Sequence, residues 1–143
     1  MHLRFKLAAA AGIYCMLITQ LIAAETLTIV VTNVSASDGN IMIQVMSGEE
    51  EFKGEQASIA SVMQRAQSGE MRFTTTSLPP GEYAIRVMHD TNGNGDLDSN
   101  FVGMPKEPWA MSNNAKGNFG PPAWKDVKFT LEGSVTQTLD LSK

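Results

Sequence analysis

Cysteine and histidine are nearly missing from this chain: of its 143 residues one is cysteine, Cys15, and two are histidine, His2 and His89. Cys15 and His2 both fall in the first 24 residues, which read as a secretory signal. Arg4 and Lys6 precede an apolar run, LAAAAGIYCMLI, and small residues follow before the first acid, Glu25. Cleavage is expected after Ala24, leaving a single domain over residues 25–143. A lipoprotein leader wants a small residue before its cysteine, and Tyr14 stands there, so Cys15 is expected to leave with the leader. What remains has no thiol and one imidazole, which excludes disulfides, thiolate metal sites, zinc sites built on several histidines, and cysteine–histidine catalysis within one chain. The apolar run is too short to anchor in a bilayer, so no membrane insertion is expected after cleavage. The expected destination is the periplasm or the medium.

Positive charge is scarce as well. Eleven basic residues face fifteen acidic ones, a net charge of −4. Losing Arg4 and Lys6 with the leader deepens this to about −6 by formal counting. Such a surface repels phosphate backbones, so nucleic acid is not expected as a partner.

Alternation is plentiful. In ETLTIVVTNV, Leu27, Ile29 and Val31 point one way, and in IMIQVMS, Ile41, Ile43 and Val45 do the same. SDGN (37–40) between them fits a hairpin turn. Met71, Phe73 and Thr75 alternate in EMRFTTTSL, followed by the turn PPGEY and by Tyr83, Ile85 and Val87. Near the end, Val127, Phe129 and Leu131, then Val135, Leu139 and Leu141, are expected to face inward. Residues 47–69 change period. Ser47 with Glu50 fits a capping box that Gly54 closes, and Ile59, Val62, Met63 and Ala66 fall on one helical face ended by Gly69. The expected fold is all-β: a single antiparallel sandwich, transthyretin-like or Ig-like, of six to seven strands with one short helical insertion. The seventh strand would lie inside the long segment 90–124.

That segment opens with DTNGNGDLDSNF (90–101), which follows most of the Asp-x-Asn-x-Asn-Gly calcium pattern. Asp90, Asn92 and Asn94 take the first, third and fifth positions, Gly95 the sharp turn, Asp96 offers its carbonyl and Asp98 the ninth position. Calcium takes six to eight hard oxygens, which alternate side chains in a tight arc supply. Phe101 stands where a helix-flanked calcium loop carries its bidentate Glu, and the approach is a strand, so Glu107 or Asp126 would have to complete the shell. The plainer reading of the same residues is a polar loop whose Asn-Gly pairs serve positive-φ turns.

From here the text becomes distinctive. HDTNGNGDLDSNFVGMPKEPWAMSNNAKGNFGPPAWKDVKFTL, with LPPGEYAIRVMHD before it, resembles a family of exported bacterial proteins, the domain-of-unknown-function family numbered 2141. The LPPGEY piece is also similar to transthyretin-like and adhesin B-type sandwiches. The resemblance implies a prealbumin-like sandwich, allows calcium at Asp90, Asn92, Asn94, Asp96 and Asp98, and carries no established activity.

Three rival readings use other residues. A cell-envelope glycan could be gripped by Trp109, Asn113, Asn114, Phe119 and Trp124, although such rings also pin a long loop as a satellite core. Met42, Met46 and Met88 fall on like-facing strand positions, and thioethers suit Cu(I), although methionines more commonly fill an apolar layer. Asp90, Asp96, Asp98 and Glu107 could be paired as acid and base, but clustered loop carboxylates lack the separated environments that such chemistry needs. No enzyme is expected. The expected role is a binding or structural one, toward a protein or an envelope glycan.

Overall fold

In the computed structural model, residues 25–141 are described. The expected leader, residues 1–24, lies outside them. Among the described residues no helix is long and apolar enough to cross a membrane.

Eight strands build the fold: β1 (Glu25–Val34), β2 (Asn40–Met46), β3 (Ala60–Arg65), β4 (Gly69–Leu78), β5 (Gly81–Asp90), β6 (Trp109–Met111), β7 (Phe129–Leu131) and β8 (Ser134–Asp140). Two one-turn helices, α1 (Glu49–Lys53) and α2 (Trp124–Val127), complete it. One sheet runs β4-β1-β8 and the other β3-β2-β5-β6, with β7 pairing the opposite end of β5 from β6. The all-β sandwich is as expected, and β6 is the strand anticipated inside the long segment.

The alternating residues explain the layering. Leu27, Ile29 and Val31 of one sheet meet Ile41, Ile43, Ile85 and Val87 of the other in a single core that water does not reach. Burying each such side chain contributes about 1.5–3 kcal/mol relative to exposure. A second, smaller cluster lies on the outer face of the larger sheet, where Met46, Ala84, Met111 and Val127 pack beneath Phe52 and Trp124.

Four features depart from the expectation. SDGN is no hairpin: it carries the chain from one sheet to the other, since β1 and β2 pair with different neighbours. Gly39 has φ 72°, and a Cβ there would lie 2.0 Å from the carbonyl oxygen of Asp90, so only glycine lets this crossover close onto β5. The helix expected over 55–69 is instead, in its middle, the edge strand β3, paired with β2 from Asn40↔Arg65 to Val45↔Ala60. Ile59, Val62 and Met63 are 46, 44 and 60 % exposed, so their helical spacing buries nothing, while the ladder to β2 satisfies the backbone. Val127 lies in α2 rather than on a strand and feeds the outer cluster. Finally β8 pairs with β1 in parallel, Thr26↔Ser134 to Thr32↔Asp140, within an otherwise antiparallel sandwich.

The short helix before β3 is where the sequence placed it, with a different cap. Gly48 is the N-cap residue, and the Ser47 hydroxyl and N–H both donate to Glu51 rather than to Glu50. Gly54 closes the helix at φ 80°.

Candidate functional site

β5 ends at Asp90, and its last residues decide how the long segment leaves the sheet. His89 is buried in the core, and its Nε2 donates to the Asp38 carbonyl at 2.8 Å. Asp90, 1 % exposed, turns the other way and organises the loop that follows. One of its oxygens accepts the N–H groups of Gly93 at 2.8 Å and Asn94 at 3.1 Å, and the other accepts that of Gly95 at 2.9 Å. Three backbone donors thus converge on one carboxylate, which is why Gly93 and Gly95 take φ of 74° and 86° here.

The remaining oxygens of the loop lie on the same arc. Asn92 Oδ1 accepts Asn94 N–H at 3.0 Å, and Asn94 Oδ1 accepts Asp96 N–H at 2.9 Å. The two amide nitrogens, Asn92 Nδ2 and Asn94 Nδ2, donate to the Asp98 carboxylate at 2.6 and 3.2 Å. Asn92, Asn94 and Asp98 are therefore linked in one ring of hydrogen bonds, and Asp90 joins it through the Asn94 N–H. Asp96 enters the ring through its N–H, its side chain is not part of it, and Leu97 is half-buried.

Glu107 closes the arc from outside. It is 5 % exposed, and it accepts Thr91 N–H at 2.8 Å and Thr91 Oγ1 at 2.9 Å on one oxygen, and Asp98 N–H at 3.1 Å on the other. Of the two carboxylates named for completing the set, the fold brings Glu107 to the loop. It leaves Asp126 on α2, exposed, against the Asn113 side of the molecule.

As a donor set for calcium this arc is all oxygen and hard, as that ion requires. Asn92 and Asn94 face Asp98 with nitrogen, so a cation held between them and Asp98 would have to replace those two hydrogen bonds. Among the described residues, no three Asp, Glu, His or Cys side chains form a metal-holding cluster, since half of the arc is amide.

Beyond the loop, Asn100 stiffens a second turn. Its Oδ1 accepts Val102 N–H at 3.1 Å and Met104 N–H at 3.0 Å, and Ser99 bridges Pro105. Phe101, Val102 and Met104 at its tip are exposed.

The five residues considered for sugar binding do not gather at one surface. Trp109 lies half-buried on β6, and Trp124 packs on Phe52 with ring centroids 5.9 Å apart. Phe119 projects fully into solvent. Asn113 and Asn114, at φ of 61° and 49°, spend their amide nitrogens on backbone. Asn113 Nδ2 donates to the carbonyls of Asp126 and Lys128, at 3.1 and 3.0 Å. Asn114 donates to Thr138 O and accepts Asp140 N–H, at 3.0 and 2.9 Å, filling the edge of β8 as a neighbouring strand would.

Ser112, which no pattern singled out, does more than either. Fully buried, it accepts Ile85 N–H at 2.9 Å and donates to Val127 O, joining β5 to α2. On the same face Arg86 reaches Gln44 and the Phe52 carbonyl and lies over the Phe52 ring, and burial pushes its guanidinium below the usual arginine range. Neither residue announces itself in sequence, because each is defined by backbone that arrives from elsewhere in the chain.

No curated protein and no solved structure matches this chain. A family model matches residues 29–138, from within β1 to within β8, and includes the whole of the 90–98 loop and Glu107. The chain belongs to the family of uncharacterized proteins conserved in bacteria, DUF2141.

Proposed function

We propose that this is an exported, non-enzymatic sandwich whose 90–98 loop takes up calcium and thereby holds the long segment after it as a surface for a binding partner. The observation that carries the reading is the convergence of Asp90, Asn92, Asn94 and Asp98 on one arc with Glu107 bound behind it. Calcium would enter as a staple: an ion that binds the folded form alone stabilises it by about 2.7 kcal/mol at a hundredfold excess over Kd. Loops of this incomplete type in extracellular modules work near 10⁻⁴–10⁻³ M, roughly the concentrations met outside a cell. A cell-envelope glycan is the second reading, favoured by the fully exposed rings of Phe101 and Phe119.

The test is a melt of the chelator-treated protein with calcium titrated to millimolar levels, beside Asp98→Asn. This variant keeps an oxygen toward the arc and spares Asp90, whose removal would strand three N–H groups. A saturable rise in Tm for the wild type that Asp98→Asn weakens supports the staple. Superimposable melts with and without calcium would retire it and leave the exposed rings as the leading feature.

A further inference from the structure

The outer face of the larger sheet carries a row that the calcium reading does not use. Met42 on β2 pairs with Met63 on β3 and with Met88 on β5, and Met88 pairs with Trp109 on β6. Residues in register share a face, so Met63, Met42, Met88 and Trp109 stand side by side across four neighbouring strands. The row one residue further along is Val62, Ile43, Val87 and Ala110, of which Ile43, Val87 and Ala110 are buried in the core. Strands favour β-branched residues, and the inner row follows that preference while the outer row replaces it three times running with an unbranched thioether. Residues 25–143 contain seven methionines, so three in one row is a concentration.

The row is open to a ligand. Met42, Met88 and Trp109 are half-buried, and Met63 is 60 % exposed at the sheet edge. The helices α1 and α2 cover the other end of this face, over Met46, Ala84 and Met111. Arg86, one row away, is turned to Gln44 and to the Phe52 carbonyl.

We propose that Met63, Met42 and Met88 form a three-thioether site for a soft monovalent d¹⁰ cation, Cu(I), with the indole of Trp109 beside it. Adjacent strands lie about 4.8 Å apart, so the outer two methionines stand roughly 10 Å from each other with Met42 between them. Three rotatable bonds let each side chain lean inward and bring the sulfurs together over β2. Thioethers are neutral and soft, which selects Cu(I) over calcium or magnesium and leaves the ion its positive charge. An aromatic face next to that charge adds a cation–π attraction. The sequence pattern named Met42, Met46 and Met88; Met46 is buried in the outer cluster, and Met63 stands in the row in its place.

The experiment uses the full chain as Cys15→Ser, so that no thiol competes, labelled with ¹³C at the methionine methyls and titrated with Ag(I) as a redox-inert probe. The methyl signals of Met42, Met63 and Met88 are expected to move together and saturate at one equivalent. Met104, exposed and alone on its turn, serves as the internal measure of non-specific thioether binding and should stay in place. Signals from the row that move no earlier than that of Met104 would overturn the site. In a second arm, single Leu substitutions keep the volume and remove the sulfur. Each should weaken Ag(I) binding at least about tenfold, the scale on which metal sites respond to loss of a supporting group. A triple variant that melts as wild type and binds Ag(I) as tightly would also overturn it.

Discussion

Residues 91–108 and 112–128 both run without a regular sheet partner, yet the first stretch is tied mostly to itself and the second mostly to the sandwich. In the first, Asp90 gathers Gly93, Asn94 and Gly95, and Glu107 reaches back to Thr91 and Asp98. In the second, Ser112, Asn113 and Asn114 bond to β5, α2 and β8. A loop closed on its own carboxylates can rearrange as a unit without disturbing the core. A loop riveted to three elements cannot move without opening them. The difference shows that polar irregular chain can hold itself in one stretch and hold its neighbours in another: a segment closed locally belongs to the low-stability end of a structure, and one tied across elements to the high end.

The contrast can be broken most forcefully at Ser112. Ser112→Ala leaves a buried N–H on Ile85 and a buried carbonyl on Val127 without partners. A loss of about 2–4 kcal/mol is expected, global rather than local, and denaturant unfolding should show it as a lowered midpoint. Exchange protection should fall in β5 and α2 alike.

Glu107→Gln attacks the other stretch. A carboxylate that only accepts becomes an amide with two donors, one of which then confronts either Thr91 or Asp98 N–H. The expected cost is about 1–2 kcal/mol. Hydrogen exchange should rise in 91–98 and stay unchanged in 112–128. A uniform rise across both would mean that the two stretches open together.

Glu51, outside both stretches, supplies the smallest effect. Burial pushes its carboxyl up, but donors from the Ser47 hydroxyl and from the N–H groups of Ser47 and Ile59 outweigh that and hold it below its ordinary value of 4.5. A lowered folded value means that its contribution is fully present above 4.5 and lost as pH falls through the folded value. The site is largely solvated, so the advantage over Glu51→Gln should be under about 0.5 kcal/mol at neutral pH. Paired melts should show the gap closing in acid.

How far the sequence could be read follows the same division. β1, β2, β4, β5 and β8 were legible because one face of each is buried and the alternation is the mark of burial. β3 was not, because an exposed edge strand is under no pressure to alternate, and chance spacing imitated a helix. The arc of oxygens was legible since its members lie within nine residues of one another, and Glu107 was foreseen only by the need for one more carboxylate. The clasp was illegible. Ser112 meets Ile85 across 27 positions and Asn114 meets Thr138 across 24, and no local pattern encodes a side chain whose partner is distant backbone.

β1 lies in the middle of its sheet, between β4 and β8, and its parallel partner begins at Ser134. The first strand of the described fold therefore waits for the last. Pairings of such separation slow folding, because the intervening chain must be ordered before the contact rewards it. Until β8 docks, the smaller sheet has only β4 and β1, so among the described strands it is the sheet completed last.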